Sequence, residues 1–296
     1  MNISTHTLIA LKPVKNFFIG IDSDGCAFDT MEIKHKECFC PALINHFNLQ
    51  SVSKYAREAW EFVNLYSRTR GTNRFSGLIN TFDILSEREE VIERKLKLPE
   101  LKSIRDWIKS EPKLGNPSLK KAVEESEDSE LAMLFDWSFA VNESIRRIVR
   151  NVPPFPYVKQ SLEKINKYAD AIVISSANQE SLTREWSEHD LDKYVRFIAG
   201  QEMGNKQDCF RQAAEGKYFP EKMLMVGDAP GDMLAAQANN ALFYPIVPGE
   251  EEKSWELFYK EGLDKFFDGT FAGEYEEKLI EDFFIHLPEL PPWQNQ

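Results

Sequence analysis

No stretch of the 296-residue chain approaches the roughly 20 apolar residues that a membrane-spanning helix needs, so a transmembrane protein is not expected. The first 16 residues mix Lys, His and Asn and hold no apolar signal core, which makes the cytoplasm the expected location. Positive charge is also short. Against 48 Asp and Glu stand 36 Lys and Arg, and the net charge of -12 would repel nucleic acid and anionic membranes alike. A phosphate-bearing ligand would need cations placed locally. Four cysteines, Cys26, Cys38, Cys40 and Cys209, are too few for a disulfide framework, and a reducing compartment fits. His35, Cys38 and Cys40 do not share one helical face and have no fourth ligand nearby, which argues against a metal site there. His6, His46, His189 and His286 are scattered, so no imidazole-centred constellation is visible. Gly-x-Ser-x-Gly and Gly-rich phosphate loops are absent as well.

What is present begins with Phe17-Phe18-Ile19-Gly20-Ile21, an apolar run too short for an ordinary helix, which ends abruptly in Asp22-Ser23-Asp24-Gly25. It reads as a buried parallel strand with two carboxylates at its end. In open α/β sheets the crevice beyond the carboxyl ends of the strands is where ligands sit, so acids placed there face a substrate. The hydrophobic content of 42% supports a sizeable core.

After Asp29 the next hundred-odd residues read as helices: Ser53 to Arg70, a capping-box pattern at Ser86-Glu87-Arg88-Glu89, a segment around Trp107, and Asn116 to Glu125. The clearest runs from Ser129 to Val149, where Leu131, Leu134, Phe135, Val141 and Ile145 recur at helical spacing. Pro153-Pro154-Phe155-Pro156 breaks this pattern. Short apolar runs then alternate with helical stretches: Ala171 to Ile174, Val195 to Ile198, Met223 to Val226 and Ala241 to Tyr244. With the first run they predict five strands of a parallel sheet crossed by helices. The expected organisation is an α/β domain over 1–29 and 154–296, interrupted by a helical insertion over 30–153. The Pro-x-x-Pro pattern in Leu287-Pro288-Glu289-Leu290-Pro291-Pro292 reads as a solvated tail.

Three later strands also end in groups suited to phosphate chemistry. Ser175-Ser176 follows Ile174, with Gln179 opening a helix, a hydroxyl and backbone N–H groups at a positive terminus. The loop after Ile198 leads to Lys206. Met223 to Val226 runs into Gly227-Asp228-Ala229-Pro230-Gly231-Asp232, again two carboxylates at a strand end. Each alone has an ordinary explanation: a cap for the serines, a solvated charge for Lys206, a first-turn acid for Asp232. Parallel strands bring them to one edge, and the combination favours a functional site.

These residues carry a resemblance to the haloacid dehalogenase (HAD) superfamily with a helical cap inserted after the first strand. Asp22-Ser23-Asp24-Gly25 is similar to its first motif, Ser175 to its second, Lys206 to its third and Gly227 to Asp232 to its fourth, across about residues 15 to 286. Cys26 stands where the family usually has Thr or Val. The resemblance implies a HAD-like Rossmannoid fold and a phosphatase in which Asp22 attacks phosphorus, giving an aspartyl-phosphate that water hydrolyses. It implies Mg²⁺ held by Asp22, Asp228 and the backbone carbonyl of Asp24, with Asp232 as a water-mediated partner. Asp24 is then the general acid and base, Ser175 and Ser176 bind phosphate, and Lys206 neutralises its charge. Substrate choice is expected in the cap, where Arg70 and Arg74, in a polar loop after a helix ending at Gly71, would clamp an anionic group or sugar oxygens. The expected partner is a small phosphorylated metabolite. A phosphomutase of the β-phosphoglucomutase type would use the same residues, and a non-enzymatic receiver-like module is the remaining alternative.

Overall fold

A computed structural model describes residues 6–294. Contacts divide the chain into two units: one runs to Met31 and resumes over Asn151–Leu287, and the other comprises Glu32–Arg150 and the tail beginning at Pro288. No helix among the described residues is long and apolar enough to cross a membrane.

The first unit is built on a five-stranded sheet, β1 (Phe17–Ile21), β2 (Ala169–Ile174), β3 (Phe197–Ala199), β4 (Met223–Gly227) and β5 (Leu242–Pro245), in the order β3-β2-β1-β4-β5 with every pairing parallel. This is the α/β Rossmannoid architecture. The strands read as continuous apolar runs because both faces are covered. The pleat sends Ile19 and Ile21 into one hydrophobic cluster, with Val173, Leu224, Val226, Trp186 and Trp255, and Phe18 into the other, with Ile174, Met225, Phe210 and Phe243. Gly20 is small for a reason of space, since a Cβ there would lie 3.0 Å from Ile174, Met225 and Phe210.

The central strand positions the site. Ile21 is level with Val173 on β2 and with Val226 on β4, so the chain leaves the ends of β1 and β4 side by side. The strand order reverses between these two strands, which is where such sheets open a crevice.

The second unit is helical, with Trp60, Phe75, Leu78, Leu134 and Trp137 at its core. Several elements differ from the sequence expectation. The helix expected to reach Arg70 ends at Leu65, because the hydroxyls beyond it compete for backbone groups: Ser67 Oγ and Thr69 Oγ1 both donate to the Val63 carbonyl, at 3.2 and 2.6 Å. Ser86 does not start a helix. It closes the one over Arg74–Ser86, and the following turn, Glu89–Glu93, begins after Arg88 without a side-chain cap. The tail does not lie free in solvent either. Trp293 sets its ring 5.8 Å from that of Phe62 and 4.3 Å from the Arg88 guanidinium, and this packing places the tail with the helical unit rather than with the α/β unit.

Candidate active site

The loop leaving β1 begins with Asp22, whose N–H donates to the Val226 carbonyl at 2.9 Å and so ties the end of β1 to β4. Ser23 then turns the chain, its carbonyl accepting from Cys26, Ala27 and Phe28 at 3.3, 2.9 and 3.1 Å. Gly25 supplies the positive φ of 76° that this turn needs. Asp24 is half-buried, and its Oδ1 accepts from the hydroxyl of Thr30 at 2.5 Å.

From β4 the chain passes through Gly227 into Asp228 and the helix Pro230–Ala238. Asp232 lies in its first turn and reaches back, Oδ2 accepting from the Ala229 N–H at 3.1 Å. Lys206 opens the helix Lys206–Ala214, whose N-terminus is capped by Asn205 through Asp208 N–H at 2.7 Å. Its ammonium stands 2.8 Å from Asp22 Oδ2 and 2.7 Å from Asp232 Oδ1.

Oxygens of Asp22, Asp228 and Asp232 lie within 4.8 Å of one another, and all three side chains are buried. Burial drags the Lys206 ammonium down, but the charges of Asp22 and Asp232 more than reverse this and hold it protonated above the usual lysine range. Burial pushes Asp232 up to about 6, against the pull of Lys206. Among these four side chains, three carboxylates face one ammonium. Asp22 Oδ1 is buried and has no hydrogen-bond partner among the described residues.

The structure thus brings together Asp22, Lys206, Asp228 and Asp232, with Asp24 two residues along the same loop. Ser175 follows β2 directly and is buried, its N–H donating to Ala199 and its Oγ accepting from Ala177 N–H at 3.3 Å. Ser176 is exposed, and the ordinary explanation of it as a cap does not hold, since Asn178 Oδ1 takes that place, accepting from Ser181 N–H at 2.9 Å. Its competing position directly before Gln179 is the signal that marks it. Arg70 and Arg74 belong to the helical unit. Arg70 is buried and donates to the Leu65 carbonyl at 2.8 Å. Arg74 donates to Ser138 Oγ at 3.1 Å and Asn142 Oδ1 at 2.8 Å, stacks on Phe39, and is pulled down to about 10 by burial. Neither is an ordinary solvated arginine.

Three residues outside the four motifs support the site. Thr30 fixes the Asp24 carboxylate, Trp186 donates its indole N–H to Ser23 Oγ at 3.0 Å, and Gln179 bridges to the end of β3 through the Ile198 carbonyl and Gly200 N–H. A threonine six residues after Asp24 was readable; the other two depend on tertiary contacts.

A family model described as haloacid dehalogenase-like hydrolase matches residues 78–244, more than half of the chain, leaving Asp22 and Asp24 outside the matched span. Among solved structures, the chain is similar to a predicted phosphoglycolate phosphatase from Haemophilus somnus, with 13% identity and a TM-score of 0.46 over 81% of this chain and 93% of that one. It is also similar to a HAD-superfamily hydrolase from Geobacter sulfurreducens, at 13% identity and TM-score 0.41 over 79% and 90% of the two chains. A haloacid dehalogenase-like hydrolase from Streptococcus pneumoniae shares 18% identity, with a TM-score of 0.41 over 82% and 90%. None of the curated proteins matches this chain.

Proposed function

The chain belongs to the haloacid dehalogenase-like hydrolase family, a family of enzymes, and from that premise we propose that it is a Mg²⁺-dependent phosphatase acting on a small phosphorylated metabolite. The observation that carries the reading is the ammonium of Lys206 shared by Asp22 and Asp232, beside a third buried carboxylate and an Asp22 oxygen with no donor of its own.

The donor set suits a hard divalent cation. It offers only oxygens, and it carries two negative charges beyond the one that Lys206 balances. Asp22, Asp228 and the backbone carbonyl of Asp24 would hold Mg²⁺, with Asp232 reaching it through water. When bound, Mg²⁺ offsets the repulsion between a carboxylate and the phosphate, about 4 kcal/mol per pair of unit charges 4 Å apart at an effective dielectric of 20.

The chain's own groups then divide the chemistry. An Asp22 oxygen forms a bond to phosphorus as the ester oxygen leaves, and Asp24 gives that oxygen its proton. Asp24, now ionised, takes a proton from water as the water oxygen attacks the phosphorus of the aspartyl-phosphate, releasing inorganic phosphate and restoring both acids. The Thr30 hydroxyl holds Asp24 in one orientation for both proton transfers. Lys206 stabilises negative charge on the transferring group, and Ser175 supplies a hydroxyl at the end of the neighbouring strand. The support for Arg70 and Arg74 as substrate contacts is weaker, because their Nη1 atoms are engaged inside the helical unit.

The test is turnover of p-nitrophenyl phosphate and a panel of phosphorylated metabolites, with Mg²⁺ or with EDTA, by the wild type and Asp22→Asn. Mg²⁺-dependent release of inorganic phosphate that the variant abolishes is expected. Activity retained by Asp22→Asn would overturn the nucleophile assignment, and isomerisation of a hexose phosphate without phosphate release would replace hydrolysis by a mutase reaction.

A further inference from the structure

Two tryptophans donate their indole N–H groups into the loop that carries Asp22 and Asp24. Trp186, on the helix Gln179–Glu188, donates to Ser23 Oγ at 3.0 Å, and Trp255, on the helix Glu251–Leu257, donates to the Cys26 carbonyl at 2.7 Å. Both side chains are 0% exposed. The buried indole N–H groups of Trp107 and Trp137 have no acceptor among the described residues, whereas those of Trp186 and Trp255 each find one, and both find it in this one loop.

Ser23 is the residue on which the geometry turns. It sits between the two acids, and its carbonyl gathers the N–H groups of Cys26, Ala27 and Phe28. Its hydroxyl is held on the hydrophobic face where Trp186 packs, and the Trp186 ring also meets Phe28 edge-on at 5.8 Å. The loop is therefore pinned at Ser23 by one indole and at Cys26 by the other, while Asp22 N–H anchors its start to β4. Rotation about the Ser23 backbone would change the angle between the two carboxylates, and a misplacement of about 1 Å costs roughly 100-fold in rate.

We propose that Trp186 is a positioning residue for phosphoryl transfer: its hydrogen bond to Ser23 fixes the backbone between Asp22 and Asp24, so that nucleophile and acid keep their relative placement. This rests on the roles assigned to those two acids. Trp186 touches no reacting atom, and its effect passes through Ser23.

The test uses the full chain with Trp186→Phe, Ser23→Ala and the double variant, each shown to be folded by circular dichroism and thermal unfolding. With p-nitrophenyl phosphate and Mg²⁺, each single variant is expected to lower kcat about tenfold or more while KM stays within about twofold, because the loop carries reacting groups rather than binding surface. The double variant is expected to be no worse than the worse single one, since both remove the same bond. Wild-type kcat in folded Trp186→Phe, where Asp22→Asn is inactive, overturns the inference and leaves the phosphatase reading standing. Activity in Asp22→Asn overturns the nucleophile assignment instead. A second readout needs no turnover. Intrinsic fluorescence of the wild type is expected to change on adding Mg²⁺ with beryllofluoride, and Trp186→Phe to lose most of that change; an unresponsive wild type, or a variant that responds equally, overturns the proposal.

Discussion

Gly227 and Asp232 occupy adjoining space so closely that a Cβ at Gly227 would overlap the Asp232 side chain. Asp232 is fully buried and held by Lys206 and the Ala229 N–H, so it has no open direction in which to retreat. Gly227→Ala is therefore expected to displace Asp232 and with it Lys206, lowering kcat by about 100-fold. Steady-state kinetics checks this, and a rate within twofold of wild type would show that the site tolerates the shift.

Among the described residues, Lys206 is the cation that pairs with both Asp22 and Asp232, and replacing it leaves two buried carboxylates without that partner. Lys206→Gln is expected to destabilise the fold by about 3 kcal/mol in EDTA and to reduce kcat by roughly 100-fold or more. The stability loss should be smaller in Mg²⁺, where a second cation shares the load. Urea unfolding with and without Mg²⁺ measures the difference, and an equal loss in both conditions would argue against a shared charge cluster.

Mg²⁺ bound to the native state alone stabilises it by mass action, by about 2.7 kcal/mol at one hundred times its dissociation constant. Thermal unfolding of the wild type is expected to move upward by several degrees in Mg²⁺ relative to EDTA. Asp228→Asn, which removes one of the three clustered carboxylates, should abolish most of the shift. A wild type indifferent to Mg²⁺ would remove the metal from the proposed chemistry.

Much of this site was legible because strand ends are legible. The apolar runs before Asp22, Ser175 and Asp228 mark buried strands, and one parallel sheet brings their ends to one edge. Boundaries shifted where local chemistry overrode pattern, as when Ser67 and Thr69 hydroxyls stopped the helix at Leu65 and Asn178 displaced Ser176 as the cap. What pattern could not show is long-range. The bond from Trp186 to Ser23 spans 163 positions and the one from Trp255 to Cys26 spans 229, and nothing in either tryptophan's neighbours in sequence announces its partner.

Asp170 gives the α/β unit an acid-sensitive anchor away from the site. It lies near the start of β2, 4% exposed, and accepts from Val14 and Lys15 N–H at 2.7 and 3.0 Å, from Tyr218 OH at 2.7 Å and from Arg196 Nη1 at 2.7 Å. Burial alone would raise its pKa, but these donors together hold it below the usual aspartate value. A depressed carboxylate contributes stability that is complete above its unfolded pKa of about 3.9 and is lost as pH falls through the lower native value. Asp170→Asn is therefore expected to be less stable than wild type at pH 7 and to show a shallower loss below pH of about 4. Parallel acid limbs for the two proteins would contradict the assignment.

The tail supplies a test within the helical unit. Arg88 is buried between two rings, 4.7 Å from Tyr55 and 4.3 Å from Trp293, while its guanidinium pairs with Glu58 at 2.5 Å and Glu90 at 3.0 Å. Trp293 also meets Phe62 edge-on, and the Pro288 carbonyl accepts from Arg68 N–H at 3.4 Å. Removing the indole exposes one face of the cation and uncovers apolar surface, so Trp293→Ala is expected to cost about 1–3 kcal/mol. Trp293→Phe, which keeps a ring over Arg88, should recover part of that loss. The variants should also differ in how fast a protease clips the chain beyond Pro288, with Trp293→Ala fastest. Equal cleavage rates and equal unfolding midpoints for wild type and Trp293→Ala would mean that the tail's packing adds nothing to the stability of the helices beneath it.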